Sequence, residues 1–205
     1  LSMTGILLAL GTVLLKLSEG KDITWLGAFF SSMTARTAGF ATFSFGNFSE
    51  AGLLVMMVLM FIGACASSTG GGLKVSRIII LLKTAVKEVR YYLNPREIRS
   101  IRCDGRYVEH SVVTGVSVYL VVYMLVFAGS VFLVSIEPGH DWETCFTAVA
   151  SCLNNIGPGL GGVGPMCNFD HFSDFAKCVL SADMLLGRLE LFPMLALCTP
   201  AAWKN

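Results

Sequence analysis

Long apolar stretches alternate with short polar ones along this chain, and the pattern predicts helices that cross a membrane. Residues 111–136 carry no charged side chain and are rich in Val, Leu and Phe. Because about 20 apolar residues span the hydrocarbon layer of a bilayer, this is the clearest predicted spanning helix. We predict three further apolar helices over residues 1–15, 50–93 and 172–198, and the second of these is broken in its middle.

Two shorter helices are predicted over residues 23–34 and 141–153, and neither is long enough to cross a bilayer. A glycine-containing loop follows each one, and the next helix then begins at the similar sequences FSE (48–50) and FSD (172–174). The order of helix, short helix, glycine loop and helix therefore occurs twice. It predicts an all-α integral membrane fold with two tandem helix–pore loop–helix repeats.

The repeats predicted in this way cover residues 1–93 and 110–199, with a linker at 94–109 and a tail at 200–205. Charge gives them an orientation. Nine of the fifteen basic residues are concentrated in and before the linker: Lys74, Arg77, Lys83, Lys87, Arg90, Arg96, Arg99, Arg102 and Arg106. By the positive-inside rule this block is cytoplasmic, which also places the C-terminus in the cytoplasm.

Composition excludes several classes of protein. The chain of 205 residues is 54% hydrophobic and 14% charged, whereas soluble domains carry about 25% charged residues. The basic block lies between membrane segments, so we do not expect it to bind nucleic acid. The glycines before Lys74 do not match the phosphate-binding pattern G-x-x-x-x-G-K-[ST], and the three histidines show no metal-ligand spacing. We therefore expect neither an enzyme nor a bound cofactor.

The segment between Ile62 and Lys74 interrupts an uncharged run with three consecutive glycines, Gly70, Gly71 and Gly72. Each glycine disfavours a helix by about 1 kcal/mol relative to alanine. Irregular backbone within a bilayer is tolerated only where protein buries it or where it lines a watery cavity. This segment is therefore predicted to lie beside a pore or a binding site.

Each short helix with its loop, at 23–40 and 141–159, has the chemistry of a cation site. The C-terminal end of a helix carries about −0.5 of a charge, and carbonyl oxygens of an extended loop can replace the hydration shell of an ion. Glycine permits the positive φ and the close approach that such a path needs. The predicted filter residues are these: Thr37, Ala38, Gly39, Phe40, Asn155, Ile156, Gly157 and Pro158.

Four motifs, TARTAGF (34–40), GACASSTGGGLKV (63–75), LNNIGPGL (153–160) and MLLGRLELF (184–192), resemble the bacterial TrkH/TrkG/KtrB family of potassium uptake subunits, with the Trk type the most similar. The resemblance covers essentially the whole chain. It implies a potassium-channel-like pore of four repeats, of which this chain supplies the third and fourth. The first two repeats would lie upstream, which fits a chain that opens inside an apolar run.

The resemblance also implies a gate. It assigns this role to the intramembrane loop below the filter, here Ala66, Ser67, Ser68, Thr69, Gly70, Gly71 and Gly72. Arg188 would lie near the pore axis as a barrier to cations, and Arg36 would steady the first filter loop from behind. Two structural alternatives stay open: the glycine segment is a rigid kink or close helix crossing, or Arg188 pairs with Asp183 or Glu190.

The predicted function is potassium uptake across the bacterial inner membrane, with K⁺ bound only at the filter carbonyls. The family resemblance implies a homodimer and a TrkA-like, nucleotide-binding cytoplasmic regulator as partners, in addition to the lipid bilayer and the missing N-terminal repeats. The alternative is a secondary transporter with discontinuous helices that carries a small organic substrate with a coupling ion.

Overall fold

The computed structural model describes most of the chain, namely residues 2–20, 22–42, 45, 48–63, 65, 68, 70–94, 102–103 and 106–198. Eight α-helices occur in this part of the chain: α1 (Ser2–Glu19), α2 (Trp25–Thr34), α3 (Glu50–Phe61), α4 (Val75–Leu93), α5 (His110–Ser135), α6 (Trp142–Leu153), α7 (Asp174–Leu189) and α8 (Leu191–Cys198). Two of them, α1 and α5, are long and apolar enough to cross a membrane, and α3 is apolar but shorter.

In the first repeat, α1, α2 and α3 pack against one another. Thr24 starts α2 by accepting a hydrogen bond at its side chain from Gly27 N at 3.1 Å, which satisfies one of the free N–H groups of the first turn. The core of this repeat is a cluster of apolar side chains that includes the fully buried Leu15, Ala28 and Met56. The short helix therefore packs mainly against α1.

In the second repeat, α6 lies between α5 and α7 and is the most enclosed helix among the described residues. Most of its residues from Thr144 to Leu153 are buried. It packs in a core with Phe127 of α5 and Leu180 of α7. Burial of both faces explains why α6 reads as apolar and small-residue-rich rather than amphipathic.

The last helix differs from the prediction of one helix over residues 172–198. The chain instead forms α7 and α8, separated by Glu190, whose φ of +66° is left-handed. A non-glycine residue at this φ cannot continue a right-handed helix, and Glu190 is held there by two basic side chains described below. The prediction of a continuous last helix was therefore wrong.

Two smaller differences concern the polar segments. The first helix does not end at Leu15 but continues to Glu19, because Glu19 is buried against the start of α3 and Lys16 Nζ donates to Ile23 O at 2.6 Å. The predicted linker contains a short antiparallel ladder of β1 (Arg102–Cys103) and β2 (Arg106–Tyr107). Strand pairs of two residues leave almost no periodic signal in a sequence.

Candidate pore loops and gate

The first pore loop leaves α2 through a tight set of hydrogen bonds. The Thr34 carbonyl accepts from both Ala38 N and Gly39 N at 3.1 Å. The Thr34 hydroxyl donates to the Phe40 carbonyl at 2.5 Å. Thr37 and Gly39 have φ values of +79° and +74°. In an extended strand, successive carbonyls point to opposite sides. Two left-handed residues, two positions apart, break this alternation in the loop.

The second pore loop repeats this construction at the end of α6. The Ser151 carbonyl accepts from Ile156 N at 3.0 Å, and the Ser151 hydroxyl donates to the Gly157 carbonyl at 2.6 Å. In both loops a hydroxyl in the last turn of the short helix thus holds a carbonyl six residues further on. Asn155 and Gly157 are left-handed, with φ values of +54° and +116°.

The two loops meet at Gly39. A methyl group at Gly39 would overlap with the Ile156 carbonyl oxygen and would lie 3.3 Å from Pro158 Cδ. One cavity of about 580 Å³ is lined by both loops, through Gly39 and Phe40 on one side and Gly157 and Pro158 on the other. A methyl group at Gly157 would face open space. The structure thus brings the two predicted filter glycines to the same cavity.

The remaining predicted filter residues lie beside this contact. Ala38 is exposed and Thr37 half-buried, whereas Ile156 is buried. The Asn155 side chain turns away from the loop and donates to Met184 O of α7 at 3.2 Å. All eight residues therefore belong to two adjoining loops, and their assignment as ion ligands remains a prediction.

Arg36 connects the first pore loop with the glycine segment. The residue is 8% exposed, and its guanidinium donates to Gly63 O at 3.1 Å and to Ile62 O at 3.4 Å. Five donors in a planar fork allow arginine to bind two carbonyls at once. Arg36 therefore links the end of α2 to two carbonyls at the entry of the predicted gate. That it steadies the first pore loop from behind stays a prediction.

The predicted gate loop is tied together at its two ends. Gly63 N donates to Leu73 O at 2.9 Å, and Leu73 N donates to Phe61 O at 3.2 Å. These bonds form an isolated parallel bridge between Ile62 and Leu73. Three of the predicted gate residues, Ala66, Ser67 and Thr69, lie outside the described residues. Ser68 is described, and its hydroxyl accepts from Gly70 N at 3.2 Å.

The glycines of the gate loop lie directly against the end of α6. A methyl group at Gly71 would lie 2.5 Å from Asn154 O, and one at Gly72 would lie 2.8 Å from Asn154 Oδ1. On the opposite helix, a methyl group at Gly187 would overlap with Leu153 O. Close packing thus accounts for these glycines, as the small-residue alternative supposes, while Gly72 also needs its φ of +74°.

Asn154 organises this contact and was not among the predicted site residues. It is fully buried, accepts a hydrogen bond from Tyr123 Oη at 2.8 Å and donates to Ala150 O at 2.8 Å. A buried amide needs such partners, because an unpaired one costs about 1–3 kcal/mol. Its signal in the sequence was a polar pair, Asn154 and Asn155, at the end of an apolar helix.

A cluster of opposite charges lies where the gate loop continues into α4. Glu190, between α7 and α8, binds Lys74 through one carboxylate oxygen and Arg77 Nη2 through the other, the latter at 3.1 Å. The Arg77 guanidinium also lies 3.9 Å from the centre of the Tyr119 ring. We call these three charged residues the Glu190 latch. It joins the two interruptions of the return helices.

Arg188, two residues before Glu190, is exposed. The two carboxylates proposed as its structural partners have other neighbours: Glu190 binds the latch cations, and Asp183 accepts from Ser130 Oγ at 2.7 Å. Sequence reasoning missed the latch, because Lys74 and Glu190 are far apart in the chain. The ring centres of His140 and His171, two residues without metal-ligand spacing in the sequence, lie 5.0 Å apart.

Two short helices that end inside the bundle, each followed by a loop with left-handed residues at one shared cavity, define an all-α protein of the membrane pore-loop class. Among the described residues no group of three or more His, Cys, Asp or Glu side chains could hold a metal ion. That carbonyl oxygens of these two loops bind a cation remains a prediction.

Comparison of the whole chain gives the family. Residues 4–203 match the TrkH family, described as cation transport protein, and the chain belongs to this family. It is 39% identical over 179 residues to the Trk system potassium uptake protein TrkH of Escherichia coli K12, a match that covers 87% of this chain and 36% of the relative. It is 32% identical over 177 residues to TrkG of the same organism, covering 86% of this chain and 36% of the relative.

The structural comparison agrees with the sequence. The fold matches the crystal structure of the potassium transporter TrkH from Vibrio parahaemolyticus with a TM-score of 0.81 and 35% identity, covering 98% of this chain and 43% of that one. The all-α membrane pore-loop fold and the family resemblance are thereby confirmed. The chain spans about a third of the length of the curated relatives described above.

Proposed function

We propose that this chain forms two repeats of a pore that takes up potassium ions across the bacterial inner membrane. The observation that carries the proposal is the meeting of the two pore loops, in which Gly39 packs on the Ile156 carbonyl and both filter glycines line one cavity. Relatives named as potassium uptake proteins support the choice of ion. The ion is cargo, and no catalytic step is part of the proposal.

In this proposal, K⁺ enters between the loops and exchanges its water for backbone oxygens of the eight predicted filter residues. The helix ends favour a cation there, because the last carbonyls of α2 and α6 carry partial negative charge. The bonds from Thr34 to Phe40 and from Ser151 to Gly157 keep the loops in a fixed shape. Fixed oxygens suit one ionic radius or coordination number better than another, and this is the basis of selection.

Below the filter, residues 66–72 would form the gate and Arg188 a positive barrier on the ion path. The proposal that this loop moves is supported by a contrast between the attachment of its base and that of its glycines. Arg36 and the Ile62–Leu73 bridge hold the base of the loop, whereas glycines form its contact with Asn154. A loop fixed at its base and built of small residues can change its contact without displacing the helices.

Two repeats supply only half of a ring of four, so we propose that the missing N-terminal repeats of the same protein complete the pore. We further propose that the protein is a multi-pass inner-membrane protein with a cytoplasmic C-terminus, and that it forms a homodimer. The basic helix α4, which displays Lys83, Lys87 and Arg90, would contact a TrkA-like nucleotide-binding regulator.

The test is ion uptake by cells that lack their own potassium uptake systems and express the full-length protein. We expect uptake of rubidium, a potassium substitute, that unlabelled K⁺ inhibits and Na⁺ inhibits much less. Labelled amino acids should not accumulate above the level of the empty vector. Amino-acid uptake without rubidium uptake would instead establish the secondary transporter.

A matched control uses the same cells expressing only residues 1–205. This half-pore should reach the membrane and give no rubidium uptake above background. Uptake equal to that of the full-length protein would contradict a ring of four repeats.

A further inference from the structure

Each repeat contains a carboxylate that ties its first helix to the start of its return helix. In the first repeat this is Glu19, at the end of α1, and in the second it is Glu137, just after α5. The partners are Ser49 and Ser173, which are the N-cap residues of α3 and α7. The same contact thus occurs in both repeats, although the intervening loops differ in length.

Glu19 is a buried residue, 7% exposed, whereas its partner Ser49 is exposed. Its two carboxylate oxygens lie 3.0 and 3.2 Å from Ser49 N, and the first of them accepts from the Ser49 hydroxyl at 2.8 Å and from the Ser18 hydroxyl at 3.2 Å. A methyl group at Gly52 would overlap with this oxygen. Gly52 therefore leaves the space that the carboxylate occupies.

Glu137 makes the corresponding contact in a half-buried position. Its oxygens lie 3.0 and 3.2 Å from Ser173 N, and one of them lies 4.0 Å from His140 Nε2. The Ser173 hydroxyl caps α7 through Ala176 N at 3.3 Å. A carboxylate at the start of a helix accepts hydrogen bonds from free N–H groups and interacts favourably with the positive end of the helix dipole. Both contacts therefore stabilise the helix start.

These contacts are the far anchors of the two pore loops. Each loop begins at a hydroxyl of the short helix, Thr34 or Ser151, that holds one of its own carbonyls. It ends at the serine that the carboxylate holds. We propose that Glu19 and Glu137 are positioning residues, which fix the far end of each pore loop and thereby set the ion preference of the filter.

This inference rests on the proposed function and concerns position, not net charge. Glu50 and Asp174 provide the matched controls, because each is the exposed acid directly after the serine. Replacing them removes the same charge from the same helix start. The Ser49 and Ser173 contacts with Glu19 and Glu137 are left in place.

The experiment measures the ratio of rubidium to sodium uptake, together with the amount of protein in the membrane, for the full-length protein. We expect Glu19→Ala and Glu137→Ala to lower the ratio about fivefold, with the larger effect at the buried Glu19, because a charge-assisted bond is lost. Glu19→Gln should keep most of the ratio, since its amide oxygen still accepts from Ser49 N. Glu50→Ala and Asp174→Ala should keep the wild-type ratio.

Gly52→Ala is an independent test that retains the carboxylate. Alanine favours a helix by about 1 kcal/mol over glycine, so a purely structural role predicts no loss. The proposal predicts a lower ratio, because the methyl group displaces the end of Glu19 from Ser49. If Glu19→Ala does not reach the membrane, Gly52→Ala decides the question by itself.

The proposal is wrong if Gly52→Ala and the glutamate variants that reach the membrane keep the wild-type ratio. It is also wrong if the control variants lower the ratio as much, because net charge would then explain the effect. Wild-type protein without any rubidium uptake would refute the proposed function instead, so the two failures are distinguishable.

Discussion

The two return helices of this molecule are interrupted in different ways. In the first repeat, residues 62–74 separate α3 from α4, and glycines form much of the contact with α6. In the second, the single residue Glu190 separates α7 from α8, and two basic side chains hold it. The first interruption is long and built of small residues, and it is the one that we propose to move, whereas the second is a one-residue break held by ion pairs.

The two pore loops also differ, in how closely their glycines are packed. Gly39 is enclosed by the Ile156 carbonyl and Pro158, whereas Gly157 faces open space. The first loop is also linked through Arg36 to the base of the gate loop. The first repeat thus contains the more crowded half of the proposed filter together with the element that we propose to move.

The largest effect should come from Gly39→Ser compared with Gly157→Ser. Both substitutions place a residue with a side chain in the left-handed backbone conformation, which costs about 1–2 kcal/mol. At Gly39 the new side chain also overlaps with the Ile156 carbonyl. We expect Gly39→Ser to lose nearly all rubidium uptake, and Gly157→Ser to retain uptake with reduced preference for K⁺ over Na⁺. Wild-type discrimination in both variants would remove the filter assignment.

Deletion of residues 67–71 should have the next largest effect. It shortens the proposed gate and removes the Gly71 contact with Asn154, so the flux of rubidium per protein should rise. A comparison variant is Gly187→Ala, which crowds Leu153 O and the side chain of Asn155 from the opposite helix, leaves the length of the proposed gate unchanged, and should not increase flux. Unchanged flux in the deletion variant would argue for the rigid-kink interpretation.

The smallest effect is expected from Glu190→Gln. The latch is partly exposed, with 37% of the Glu190 side chain accessible, and exposed ion pairs contribute about 0.2–1 kcal/mol. Flux should change by less than about fivefold. The substitution removes the negative charge, but the amide oxygen of glutamine still accepts one hydrogen bond. Glu88→Gln, at an exposed position of α4, is the control, and an equal change in both variants would deny the latch a specific role.

Sequence reasoning reached the elements of this fold through features that are local. The uncharged run of α5, the short apolar helices and the glycine loops all carry their signal within a few neighbouring residues. The paired FSE and FSD sequences disclosed the repeat for the same reason. Charge distribution and motifs then supplied an orientation and a family.

The contacts that sequence reasoning missed join residues far apart in the chain. The break at Glu190 depends on Lys74 and Arg77, and the extension of the first helix to Glu19 depends on Ser49. A single sequence does not show which distant residues pair. In it, a buried acidic residue looks the same as one that lies in solvent. Asn154 was missed likewise, because its importance lies in Tyr123 and the gate glycines that surround it.

The bridge between Ile62 and Leu73 has a consequence for how this protein could vary. The backbone segments at Ile62 and Leu73 run parallel and are hydrogen-bonded to each other, so the two ends of the intervening segment are joined where α3 ends and α4 is about to begin. Insertions or deletions in the segment between Ile62 and Leu73 need not rotate α4 or shift its register. The length of the segment that we propose as the gate can therefore change in evolution while the helices at its two ends keep their positions.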